Sequence, residues 1–144
     1  MSDTSLVLDF ATLRMKDVAD VGGKNASLGE MISQLGGAGV RVPGGFATTA
    51  RAYREFLAQD GLDRRVAERL RGLDVADVAA LARAGAEIRG WILTQDIPQR
   101  LQHDISDAYR RLENGVGADA TFAVRSSATA EDLPDAPTPS ASLR

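Results

Sequence analysis

Asp20-Val21-Gly22-Gly23-Lys24-Asn25-Ala26-Ser27-Leu28-Gly29-Glu30-Met31-Ile32-Ser33-Gln34-Leu35-Gly36-Gly37 encodes a turn, a helix and a stop in one short run. Leu28, Met31, Ile32 and Leu35 recur at i, i+3, i+4 and i+7, the stripe of an amphipathic helix. Gly36-Gly37 ends it, since glycine takes the left-handed C-terminal conformation without steric cost. The start carries chemistry. Free N–H groups and the helix dipole attract anions at a helix N-terminus. Gly22 and Gly23 let a phosphate come close to the backbone, and Lys24 adds a mobile positive charge. The P-loop spacing G-x-x-x-x-G-K-[ST] is absent, and Asn25 stands where its Ser or Thr would be. Two readings therefore stand at this point: an anion site, or a helix start with a surface lysine. Lysine usage leans toward the first. Only Lys16 and Lys24 are lysines, against fifteen arginines, so a compact ammonium is used selectively here.

Upstream, Val7-Leu8-Asp9-Phe10 reads as a short strand. Downstream, Val40 to Ala47 reads as a strand broken by a Pro43-Gly44 turn. Thr48 or Thr49 caps the next helix, with Tyr53, Phe56 and Leu57 on its buried face, and Asp60-Gly61 ends it. A short helix carries Val66, Leu70 and Leu73. Asp74 caps a longer one along which Val78, Leu81, Gly85, Ile88 and Ile92 step by three and four. Asp96 and Pro98 start a last helix striped by Leu101, Ile105, Ala108 and Leu112. A loop spans 113–119, and Thr121 to Ser126 reads as a strand. These elements predict an α+β, helix-rich chain with a small sheet holding the 122–126 strand.

That strand leads into the second chemical motif, Val124-Arg125-Ser126-Ser127-Ala128-Thr129-Ala130-Glu131-Asp132. Sites collect at strand ends in α/β architectures. Arg125 offers a planar fork for phosphate, and Ser126, Ser127 and Thr129 can add hydrogen bonds. The alternative is a strand exit in which the hydroxyls make local turns. Glu131, Asp132 and Asp135 are either a small Mg2+ site or a solvated acidic loop. His103, between Leu101 and Ile105, reads as a surface histidine without chemistry. Trp91 reads as a core or contact anchor.

Composition excludes several classes. With no cysteine, disulfide frameworks, zinc–thiolate sites and thiol nucleophiles are ruled out. One histidine cannot build a His-rich metal site. A net charge of −3 argues against a general nucleic-acid partner. No apolar run approaches a membrane span, and the polar, acidic start lacks a signal-peptide pattern, so a cytoplasmic protein is expected.

Three ordered segments carry a resemblance: Val21 to Met31, Val42 to Thr49, and Phe122 to Ala136. Together they resemble the N-terminus of the pyruvate, water dikinase (phosphoenolpyruvate synthase) family, with Ala84 to Arg89 fitting as well. The resemblance covers about residues 5–136. It is somewhat less specific for this family than for the wider group that includes pyruvate, phosphate dikinases and rifampicin phosphotransferases. It implies an ATP-grasp-like nucleotide-binding domain over 1–136 and a non-family, disordered tail over 137–144. It further implies conversion of ATP, pyruvate and water to AMP, phosphoenolpyruvate and phosphate, a step of gluconeogenesis, through a phosphohistidine on a separate domain. By motif match, Lys24 and Arg125 fall on the ATP phosphates, supported by Gly22, Gly23, Ser126, Ser127 and Thr129. ATP with Mg2+ is the implied cofactor, with the metal-binding residues outside this chain. Pyruvate is a partner only of a full-length protein, and no catalytic residue or metal ligand is expected in this segment.

After Ala136 the sequence leaves the family pattern, reading Pro137-Thr138-Pro139-Ser140 where the family has a Ser-Phe-Ala-Gly-Gln-like segment. A frameshifted or shortened reading frame is the expectation, with a chain inactive by itself. The rival readings are a stand-alone nucleotide or anion-binding module without turnover, and a fragment with exposed apolar patches.

Overall fold

The computed structural model describes residues 4–117 and 119–130. A two-stranded antiparallel ribbon lies at its centre: β1, Val7–Asp9, pairs with β2, Phe46–Thr48, in the register Val7↔Thr48, Leu8↔Ala47, Asp9↔Phe46. Strand side chains alternate between faces, and the ribbon uses both. Leu8 and Ala47 join Leu13, Val21 and Ala26 in one apolar cluster. Val7 joins Leu6, Ala52, Leu101 and Ile105 in the other.

The chain leaves β1 at Asp9, whose carboxylate accepts from the Ala11 N–H at 2.8 Å and starts a 3-10 turn over Phe10–Thr12. A second turn, Met15–Asp17, leads into α1, Val18–Val21, and then α2, Gly23–Leu35. Past β2 come α3, Ala50–Ala58, and α4, Leu62–Leu70. Then α5 runs over Val78–Thr94 and α6 over Gln99–Val116. Helix α6 packs on the ribbon through buried Leu101 and Ala108, as its stripe predicts.

Several expectations are corrected. In α2 the buried positions are Gly23, Ala26 and Gly29, while Met31 and Leu35 are exposed. Small residues face inward because the 3-10 segment runs against the helix: a Cβ on Gly29 would stand 2.5 Å from the Leu13 Cβ and 2.6 Å from its carbonyl oxygen. The left-handed residue after α2 is Gly39 (φ 76°), reached through a 3-10 turn over Gly36–Ala38. Regular strand near residues 40–47 begins only at Phe46. Thr49 does cap α3, but Ala52 is its buried residue and Tyr53 is exposed. Asp77, not Asp74, caps α5, accepting from the Ala80 N–H at 2.9 Å; Asp74 closes a turn onto the Ala76 N–H instead. Trp91 is half-buried rather than core, with the Arg65 guanidinium 4.0 Å from its ring centroid.

The largest correction is at 121–126. No strand forms there, and Val124 is 99% exposed. This segment pairs with neither strand of the two-stranded ribbon, and a strand without a partner cannot satisfy its backbone groups in a sheet. The small sheet is therefore β1–β2.

Candidate functional site

Gly22 is the pivot of the site. It sits between α1 and α2 at φ 80°, ψ 160°, a conformation open to glycine and strained for other residues. Its N–H donates to the Val18 carbonyl at 2.8 Å, and its own carbonyl accepts from the Ala26 N–H at 3.1 Å. The Asn25 side-chain amide donates to the Val21 carbonyl at 2.8 Å. Asn25 is thus a brace for the α1–α2 junction, which explains an amide where a P-loop has a hydroxyl.

Gly23 and Lys24 open α2, Gly23 buried and Lys24 exposed. The first turn carries no acidic residue. A cation at a helix N-terminus sits against the positive end of the dipole, at a cost of a few tenths of a kcal/mol to about 1 kcal/mol. Lys24 and Gly23 line an open groove of about 340 Å³ with Met15, Val18 and Ser27. Glu30, farther along α2, accepts from the Met15 N–H at 3.2 Å and from Gln34 at 2.8 Å. These bonds, that to Gln34 foremost, hold its carboxyl below the usual glutamate value. Met15, Val18 and Ser27 were not singled out from the sequence. Ser27 lies one turn beyond Lys24, and that spacing was the available signal.

The second motif arrives at the same place. A Cβ on Gly22 would meet the Ser127 Oγ at 2.2 Å, the Ala128 carbonyl oxygen at 2.9 Å and the Ser127 carbonyl carbon at 3.0 Å. Two motifs about a hundred residues apart in sequence are therefore in contact. The Ser127 Oγ is buried and has no hydrogen-bond partner among the described residues. Arg125, Ser126 and Thr129 are exposed beside it. A single residue separates Arg125 from Ser127, so their Cα atoms lie within about 7 Å.

His103 is elsewhere, on α6, its Nδ1 3.2 Å from Asp107 Oδ2, with its side chain 69% exposed. Among the described residues no group of three or more His, Cys, Asp or Glu is placed to hold a metal. Glu131, Asp132 and Asp135 lie outside the described residues, as does the 137–144 segment.

Residues 18–139 match the family model described as pyruvate phosphate dikinase, AMP/ATP-binding domain. The chain is also similar to proteins named phosphoenolpyruvate synthase. It is 62% identical over 131 residues to one from Neisseria meningitidis serogroup B, covering 90% of this chain and 16% of that protein. It is 58% identical over 130 residues to one from Pseudomonas aeruginosa, with the same coverage. It is 54% identical over 131 residues to one from Escherichia coli K12, covering 91% of this chain and 16% of that protein. The chain thus spans about 16% of the length of these curated relatives.

Proposed function

The chain belongs to the pyruvate phosphate dikinase AMP/ATP-binding domain family, and from that premise we propose that it forms the phosphate-gripping start of the ATP site in a phosphoenolpyruvate synthase. The supporting observation is the contact between the Gly22–Lys24 helix start and the Arg125–Thr129 segment. In this reading Lys24 and Arg125 hold the polyphosphate of ATP, with Gly23, Ser126 and Thr129 in support, whereas the Gly22 N–H is engaged with the Val18 carbonyl and the Ser127 side chain rests on Gly22. Two cations against one polyphosphate neutralise charge that shifts between its oxygens as a phosphoryl group leaves. Residues 1–136 are then within the first part of an ATP-grasp-like domain. ATP is taken with Mg2+, whose ligating residues lie outside this chain.

The parent reaction takes ATP, pyruvate and water to AMP, phosphoenolpyruvate and phosphate, in the direction of gluconeogenesis and in the cytoplasm. No helix among the described residues is long and apolar enough to cross a membrane. A phosphohistidine carrier is outside these residues: the sequence has one histidine, and His103 is engaged with Asp107 on α6. The 144 residues by themselves should show no pyruvate-dependent AMP formation.

Calorimetric titration with a non-hydrolysable ATP analogue tests the reading. A charge-assisted contact contributes about 1.5–3 kcal/mol, so Lys24→Ala or Arg125→Ala should each weaken binding by about tenfold to a hundredfold. Unchanged affinity in Lys24→Ala would refute it.

A further inference from the structure

Two contacts hold described residues of the segment after α6 against the helical body. Phe122 packs on Tyr109 of α6 with ring centroids 5.1 Å apart and planes at 60°. Ser127 sits on Gly22. Between these points Ala123, Val124, Arg125 and Ser126 are exposed. The segment is a strap anchored at both ends, with Arg125 on its span. The anchor at Gly22 is steric. The Ser127 Oγ makes no hydrogen bond there, and any side chain on Gly22 would fill the space that Ser127 occupies.

We propose that Gly22 and Ser127 are positioning residues: the bare face of Gly22 is a seat for Ser127, and this seat sets the distance between Lys24 and Arg125. The inference rests on the reading of Lys24 and Arg125 as phosphate-holding groups. It adds a physical cause for their spacing. Arg125 is on an irregular segment with no ladder to hold it, and its own side chain is exposed. Among the described residues its travel is limited by these two anchors, and of the two only the Ser127 seat lies beside Lys24. The glycine is required twice here. Its positive φ makes the turn into α2, and its missing Cβ leaves room for the strap. The two demands can be separated by changing Ser127 rather than Gly22, since Gly22→Ala strains the backbone whatever the strap does.

The absence of cysteine from the sequence permits a direct distance test in the full chain. Spin labels at Asp20→Cys on α1 and Ala130→Cys at the end of the described strap, both exposed, report the separation of the two motifs by electron paramagnetic resonance. The parent pair should give a narrow distribution. Ser127→Val, too bulky for the seat and located outside every helix, should broaden and lengthen it by several ångströms. Ser127→Ala keeps the small volume and should leave it narrow. The second readout is coupling in analogue binding without labels. Lys24→Ala and Arg125→Ala should be non-additive in the parent and additive in Ser127→Val, because two groups at an unset spacing no longer grip one ligand together.

An unchanged distribution in Ser127→Val overturns the proposal. So does broadening by Ser127→Ala as large as that by Ser127→Val, which would make the hydroxyl the anchor. A broadened distribution with coupling intact also overturns it, since the seat would then not position the cations. If Lys24→Ala has no effect on binding, the nucleotide reading fails, and with it the positioning role assigned to the seat.

Discussion

Thr49 is where one side chain does the most for the fold. It is 5% exposed, and its Oγ1 accepts from the Ala52 N–H at 3.2 Å, capping α3. The same hydroxyl donates to the Ser5 carbonyl at 3.0 Å, while the Thr49 N–H donates to the Leu6 carbonyl at 3.0 Å. Thr49 thereby ties α3 to the residues that lead into β1. Thr49→Ala should destabilise the chain by about 1–2 kcal/mol, read as a lower midpoint in urea; Thr49→Ser should recover most of it. A midpoint unchanged in Thr49→Ala would show that the cap carries no weight. Thr49 was legible in the sequence as one of two capping candidates, because hydroxyls before an apolar run cap helices. Asp77 was not, because Asp74 fits the same pattern three residues earlier, and only the course of the chain decides which aspartate meets an N–H.

Helix α2 shows what hydrophobic periodicity misses at the element scale. Its leucine and methionine stripe is the obvious candidate for burial, yet its glycine and alanine positions face the 3-10 segment. Small residues give no periodic signal, and close backbone approach is invisible until the neighbour is known. Gly29→Ala should destabilise by about 1–3 kcal/mol through overpacking, even though alanine is the better helix former by roughly 1 kcal/mol. Gly90 in α5 is the control. A Cβ there meets nothing within 4 Å, so Gly90→Ala should stabilise by up to about 1 kcal/mol. Paired thermal melts check the signs, and equal shifts for both would contradict this account of α2. The 121–126 segment is the converse case. Its composition suits a strand, but a strand is a property of a pair.

Across the whole molecule, the two apolar clusters gather around the ribbon, whereas α4, α5 and the turn between them extend from α3 and leave apolar side chains in solvent. Leu70, Val75, Val78, Leu81 and Leu93 are all exposed. Such surfaces bind apolar probes. A hydrophobic dye should therefore fluoresce with the native chain, and Val78→Ser with Leu93→Ser should reduce the emission. Stability should change little, since exposed substitutions usually stay within about 0.5 kcal/mol. Undiminished emission would place the dye elsewhere. The sequence by itself determined the helical segments, the turn at Gly22, the α+β class and the two charged motifs. These depend on local backbone preference and on residue type at short spacing. Only the tertiary structure decided which face of α2 is buried, which aspartate caps α5 and which segments pair as the sheet. It also decided that Ser127 rests on Gly22. These depend on which surfaces meet across long separations in sequence, and a glycine contact leaves no apolar pattern to announce it.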